Sequence, residues 1–345
     1  MNKFKKRFLV IAIFVLTITL LTVCGGIGYF FSFSPNFAAQ QTFYIYIYPN
    51  TSFENVCRQL EDSANCLNIR SFIEVAKILK YPDNIKTGRY AVEPGTNNYD
   101  LLTNLRRGQQ APIRITFNNI RLKEDLTVRI SEHLMIESQE LNTLLNDPVY
   151  CETLGFTPAT IKAMFIPNTY EVYWSISAEK LIERMKREYD AFWTENRRNQ
   201  AQNMRLTPLE VSILASIVEE ESAVLDEYPT IAGLYINRLH RGMLLQADPT
   251  VKYAMGNFAI RRMLNEYLRI DSPYNTYLYA GLPPGPLRIP SLQGLESVLN
   301  YEKHNYIFMC AKEDFSGRHN FAVTLSEHNR NAERYHAELN RRAIR

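Results

Sequence analysis

From Phe8 to Phe31 the sequence reads FLVIAIFVLTITLLTVCGGIGYFF, without one charged side chain. At 1.5 Å per residue a helix over this run reaches roughly 36 Å, enough to cross the hydrocarbon of a bilayer. The run therefore divides the chain into a short basic start and a long remainder. Lys3, Lys5, Lys6 and Arg7 precede it, and no basic residue follows until Arg58. That asymmetry predicts a cytoplasmic tail at 1–7, a transmembrane helix at 8–31 and an exported remainder. A cleaved signal peptide competes with this reading, but the apolar run is too long and no clear small-x-small site follows it. Leu21 to Cys24 has valine just before the cysteine, a poor fit to a lipoprotein box, so Cys24 reads as a membrane residue.

The exported part has the composition of a folded body. Of 345 residues, 46% are hydrophobic and 12% aromatic, enough for a real core and for two or three domains. The formal charge of +3 comes from the N-terminal cluster: without its four residues, 35 basic face 36 acidic ones, and nothing there suggests a nucleic-acid footprint. Five cysteines form an odd set with no framework spacing. Cys57 and Cys66 lie near enough in sequence for a local disulfide, Cys151 and Cys310 have no evident partner, and no bridge is predicted. CxxC, HExxH and paired His/carboxylate spacings are missing, so no metal or other cofactor is expected.

In chain order, residues 32–41 read as a linker. Phe43 to Tyr48 alternates Phe43, Ile45 and Ile47 with three tyrosines, the period of a half-buried strand. Thr51 and Glu54 have capping-box spacing ahead of a helix to about Leu60. Ser71 to Leu79 reads as a second helix, Lys86 to Val92 as a strand, and Tyr99 to Arg107 as a helix ended by Gly108. This order over 42–110 resembles a LysM-like module, and such modules bind GlcNAc-containing glycans; a plain α+β spacer fits the order equally. Beyond it, Ile113 to Phe117 reads as a strand, then Lys123 to Leu134 and Gln139 to Leu145 as helices, with Pro148 breaking the pattern. Ala178 to Asn199 reads as one long helix, Tyr228 to Leu239 as another and Tyr306 to Cys310 as a strand. The helix from about Leu325 carries Arg341, Arg342 and Arg345 at its end, where they suit its dipole. The predicted class is α+β.

The stretch Thr207 to Ser222, TPLEVSILASIVEEES, has the clearest start signal: Thr207 as N-cap, Pro208 at the first helical position and Glu210 completing a capping box. At about 100° per residue, Ile213, Leu214, Ile217 and Val218 form an apolar stripe. Glu221 falls within it, Glu220 on its edge and Glu219 opposite. A carboxyl held against an apolar wall has a raised pKa and stays protonated near neutrality, as a general acid must. A helix ending in solvated glutamates has the same pattern, and this stretch alone leaves both readings open.

Further on, Leu245 to Thr250 (LQADPT), Tyr274 to Tyr277 (YNTY) and Gly281 to Pro286 (GLPPGP) gather amides, hydroxyls, aromatic rings and rigid turns. A carbohydrate groove uses these groups, since sugars offer hydroxyls for hydrogen bonds and C–H faces for stacking. Pro/Gly loops are also simply turns. His319 and His328 stand apart and read as supporting residues at most.

These motifs in this order, with Ala215 to Ser222, Ile236 to Leu239 and His328-Asn329, resemble the MltG (YceG-like) endolytic murein transglycosylases over nearly the whole chain. The family's catalytic residue is the second glutamate of Ala-Ser-Ile-Ile/Val-Glu-x-Glu-Thr/Ser, which the resemblance carries to Glu221, with Glu219 as the first. The chain departs from the family at Asn168, where an acidic residue is usual, and at Lys162-Ala163, where Glu-Gly is frequent.

The resemblance implies a YceG-like α+β catalytic domain over 111–345 that cleaves the MurNAc-GlcNAc β-1,4 bond of nascent strands without water, leaving a 1,6-anhydroMurNAc end. Glu221 would act as general acid and then base. Glu219, Asn237, Gln246, Asp248, Tyr274, Asn275, His319 and His328 would bind substrate or support the site. The implied partners are peptidoglycan glycan strands, the bacterial cytoplasmic membrane, whose outer side the domain would face, and peptidoglycan synthases of the elongation machinery. A hydrolytic muramidase and a non-catalytic glycan-binding scaffold are the competing functions.

Overall fold

The uncharged run forms one continuous helix, α1 (Lys3–Phe33), in the computed structural model, which describes residues 3–260 and 263–342. The side chains of Lys3, Lys5 and Lys6, and residue Arg345, lie outside the described residues. Among the described residues α1 is the one helix long and apolar enough to cross a membrane. The hydroxyls of Thr17, Thr19 and Thr22 turn back onto carbonyls of Ile13, Val15 and Ile18 at 2.9–3.0 Å. These threonine hydroxyls are thus satisfied within the helix, as an apolar surrounding requires.

The chain divides into two units, residues 1–114 with 171–176, and residues 115–170 with 177–345. In the first, β1 (Phe43–Ile47), α2 (Phe53–Ser63), α3 (Ile69–Ile78), β2 (Gly88–Val92) and α4 (Asn98–Arg107) follow α1. The two strands pair antiparallel, Phe43 opposite Val92 and Ile47 opposite Gly88. Ile45 and Ile47 point into a core with Val56, Leu60, Phe72, Leu101 and Leu105. The α2 cap is Ser52, one residue after the expected Thr51, because it is the Ser52 hydroxyl that accepts from Asn55 N–H. Gly108, in the left-handed region, closes α4.

Residues 32–41, expected to be a linker, are held to this unit at Asn36 and Phe37. Phe37 is fully buried, and Asn36 donates to Asn98 Oδ1 at 2.7 Å and accepts from Asn68 N–H at 2.8 Å. Asn98 in turn donates to the Phe31 carbonyl at 2.8 Å, so the end of α1 is tied into this unit.

Strand β3 (Ile113–Thr116) carries the chain onward to α5 (Lys123–Ser131), α6 (Ser138–Asn146), α7 (Pro148–Thr153), β4 (Thr169–Val172), α8 (Ala178–Phe192) and α9 (Glu195–Asn203). Two expectations change here. Pro148 opens α7 rather than breaking the pattern, because Asp147 caps Val149 and Tyr150 and proline loses nothing at the first helical position. The single helix expected over Ala178 to Asn199 is two: buried Trp193 leaves the helical conformation and Thr194 starts α9 by accepting from Arg197 N–H.

The second unit is built on α10 (Pro208–Glu221), whose capping box forms as the sequence indicates. The helix is buried on every side from Val211 to Glu219, so the apolar stripe is only part of its packed surface. It is packed against α11 (Tyr228–His240), α12 (Asp248–Met255) and α13 (Leu292–Leu299). A hairpin of β5 (Phe308–Ala311) and β6 (His319–Ala322) and the helix α14 (Leu325–Arg341) complete it. Arg341 and Arg342 both pair with Glu338. All five thiols are free, and the architecture is α+β.

Candidate active site

Each of the three glutamates that end α10 meets different chemistry. Glu219 is 9% exposed. It accepts from the backbone and hydroxyl of Ser291, the N-cap of α13, and lies 3.3 Å from the Arg288 guanidinium. Burial raises its pKa, and the Ser291 and Arg288 contacts oppose that. Gly294 is needed beside it, since a Cβ there would overlap the Glu219 carboxylate. Glu220 is held by Arg121 at 2.7 and 2.8 Å and by Arg288 at 3.3 Å. Glu221 has no salt-bridge partner among the described residues, and its Oε1 accepts from Tyr235 at 2.5 Å.

Glu221 lines a pocket of about 290 Å³ with Tyr235, Arg238, Gln246, Asp248, Tyr277 and His319. Burial pushes its carboxyl up to about 7, against the Tyr235 hydrogen bond, while the Asp248 charge pushes the same way as burial. Tyr235, 1% exposed, is held well above the ordinary phenol range by burial and by the neighbouring carboxylate. On the far wall, Tyr277 donates to Asp248 Oδ1 at 2.5 Å. Arg238, 7% exposed, spends its donors on the carbonyls of Leu244, Leu245 and Ile307 and on Gln246 Oε1. Gln246 sits at φ 51°, in the left-handed region, a cost borne where the loop turns into the pocket.

Of the residues singled out from sequence, the pocket therefore gathers Glu221, Gln246, Asp248 and His319. The others lie outside its lining. Asn237 donates to the carbonyls of His304 and Tyr306 at 2.8 and 3.0 Å. Asn275, fully buried, donates to Leu268 and Ile270 carbonyls and accepts from Tyr277 N–H, shaping the turn that carries Tyr277. Tyr274 packs on Tyr253 with ring centroids 4.7 Å apart. His328 stacks on Phe308, and burial pushes its imidazole down. Lys162, at one departure from the family pattern, is buried and donates to the carbonyls of Arg121 and Leu287 and to the Tyr253 hydroxyl.

The sequence reading assigned no individual role to Tyr235, Arg238, Tyr277 or Glu227, although Arg238 and Tyr277 stand within the motifs Ile236 to Leu239 and Tyr274 to Tyr277. Tyr235 and Arg238 stand at helical i, i+3 spacing around Asn237, so the register of α11 could have found them. Glu227 gave no sequence signal. Among the described residues no three His, Cys, Asp or Glu side chains cluster as metal ligands would.

The sequence profile of the YceG-like family matches residues 45–334, and the chain belongs to that family. It is 35% identical over 164 residues to an endolytic murein transglycosylase of Bacillus subtilis (strain 168), covering 48% of this chain and 44% of that one. A protein of the same description from Streptococcus pneumoniae serotype 2 is 29% identical over 296 residues, 77% of this chain and 53% of its own length. The chain thus spans about half the length of the curated relatives it matches. The 2.6 Å crystal structure of a yceG-like protein from Listeria monocytogenes superposes with a TM-score of 0.56 at 25% identity, covering 85% of this chain and 99% of that one.

Proposed function

We propose that the chain is a membrane-anchored lytic transglycosylase that cleaves the MurNAc-GlcNAc β-1,4 bond of peptidoglycan, with Glu221 as the proton donor. The observation that carries this is the Glu221 carboxyl itself: half-buried against Tyr235, without a salt-bridge partner among the described residues and pushed up to about 7 in an open pocket. Such a group keeps its proton near neutral pH and can deliver it to a leaving glycosidic oxygen. The carboxylate left behind can then receive the proton of the C6 hydroxyl of the same MurNAc, which closes on C1 to give the 1,6-anhydro end. Water takes no part. The names of the relatives agree with this substrate, and the phenols, amides and acids of the pocket suit a sugar.

Helix α1 suits a single-pass anchor at the cytoplasmic membrane, with the chain beyond it on the outer side. The strand-helix-helix-strand order of the first unit supports a LysM-like glycan contact. A second reading rests on Asp248, a carboxylate in the same pocket: a glycosidase with two carboxyls would hydrolyse the bond instead.

Digestion of purified peptidoglycan by the full-length protein in detergent, with products identified by mass spectrometry, tests both. Anhydro ends from the wild type that fall about 10³-fold in Glu221→Gln are expected. Reducing ends from the wild type would favour the hydrolase. Binding without cleavage by either protein would leave a scaffold.

A further inference from the structure

The reading above gives both proton transfers to one carboxyl, yet the pocket holds a second group built to move a proton. His319, the first residue of β6, lines the same pocket as Glu221. Its Nδ1 lies 2.9 Å from Glu227 Oε2, and its backbone N–H donates to Glu227 Oε1 at 2.9 Å. Glu227 is 6% exposed and also accepts from the Ser222 hydroxyl at 3.3 Å. A carboxylate that faces Nδ1 can only accept from it, so in the neutral ring the proton sits on Nδ1 and Nε2 has the lone pair. Among the described residues Nε2 has no hydrogen-bond partner.

The Ser222 contact couples this ring to the proton donor. Ser222 directly follows Glu221 at the end of α10, so one buried carboxylate ties the helix end to the histidine. Glu221 and His319 thus line one pocket, and the Ser222-Glu227-His319 hydrogen bonds join the residue after Glu221 to the ring.

We infer that His319, oriented by Glu227, takes the proton of the attacking hydroxyl and returns it to Glu221. This rests on the transglycosylase reading and adds a residue to it. Glu221 gives its proton to the glycosidic oxygen as the C1–O4 bond breaks. His319 Nε2 takes the C6 hydroxyl proton as the O6–C1 bond forms. An imidazolium and a carboxylate remain, and one proton passing from the first to the second restores both. Glu227 is a positioning residue, since it acts only through the ring.

The test is steady-state formation of anhydro ends by full-length protein in detergent, with melting temperatures followed for each variant. His319→Ala is expected to lose about 10²-fold in kcat with little change in KM, and added imidazole to recover part of that loss. His319→Gln, which keeps a hydrogen-bonding amide but cannot take a proton, should be as slow and should not respond to imidazole. Glu227→Gln should lower kcat about tenfold at similar KM, because an amide no longer dictates which ring nitrogen carries the proton. Near-wild-type kcat in His319→Gln, or no imidazole response in a His319→Ala protein that melts normally, would make the ring a brace for the hairpin and overturn the inference while leaving Glu221 in place. A wild type without anhydro products, or an active Glu221→Gln, would overturn the underlying reading and this one with it.

Discussion

The Tyr235 hydroxyl donates to Glu221 Oε1 at 2.5 Å, and this bond works against the burial that raises the Glu221 pKa. Burial is the larger effect, so the carboxyl settles at about 7 rather than in the ordinary carboxylate range. Removing the phenol while keeping the ring separates the two. Tyr235→Phe should raise the Glu221 pKa further and move the alkaline limb of the kcat profile to higher pH. It should also slow the reaction about tenfold through lost orientation of the carboxyl. A pH–rate profile in detergent decides it: a limb that stays put or moves down would mean that Tyr235 does not act on Glu221.

The same raised pKa has a price in stability. Glu221 is near 7 in the folded chain against about 4.5 unfolded, so the folded state binds its proton more tightly. Below the unfolded value both forms are protonated and nothing is lost. As pH rises from about 4.5 to about 7 the unfolded chain gives up this proton while the folded chain keeps it, so stability falls across that window and the loss is complete above it. Glu221→Gln should therefore melt higher than wild type at pH 8, by the equivalent of about 1–3 kcal/mol, with the gap closing toward pH 4. Melting curves at the two pH values test the sign; a variant less stable at pH 8 than at pH 4, relative to wild type, would contradict it.

How far the sequence foretold this site differs residue by residue. Glu221 was legible because a capping box and a proline fix the register of α10, and register is a local property. The different roles of Glu219 and Glu220 were not, because their partners Ser291, Arg288 and Arg121 are remote in sequence. Helix α12 was hidden for a related reason: LQADPT reads as a loop, yet Pro249 sits early in a helix whose entry is held by the Thr276 carbonyl and hydroxyl. Asn237 and Asn275 drew attention as polar residues in motif positions, and the fold uses both to satisfy buried carbonyls. Strand β1 was legible through alternation, whereas the burial of Asn36 and Phe37 depended on Asn36 meeting Asn68 and Asn98.

Glu219 should matter for folding more than for chemistry. Its carboxylate joins α10 to the start of α13 through Ser291 and faces Arg288, and its side chain is 4% exposed. Glu219→Ala leaves the Ser291 N–H and one side of Arg288 without an acceptor, a loss of about 3–5 kcal/mol. Ser291→Ala, which removes only the cap hydroxyl, should cost about 1 kcal/mol. Denaturant unfolding of both variants checks the order; equal costs would mean that the carboxylate is not the joint.

Asp248 offers the sharpest separation of the two chemistries. Its charge raises the Glu221 pKa, the direction opposite to the Tyr235 bond. Asp248→Asn keeps an oxygen for the Tyr277 hydroxyl, now 2.5 Å away, but removes the charge. If Asp248 only shapes the field around Glu221, the alkaline limb should move to lower pH, contrary to Tyr235→Phe, and kcat near pH 5 should stay within about tenfold of wild type. If Asp248 were instead the nucleophile or base of a hydrolase, kcat should fall about 10³-fold at every pH, because the second carboxylate of such a pair takes part in bond making. Paired pH–rate profiles of Asp248→Asn and Tyr235→Phe therefore distinguish a carboxylate that tunes the proton donor from one that shares the reaction.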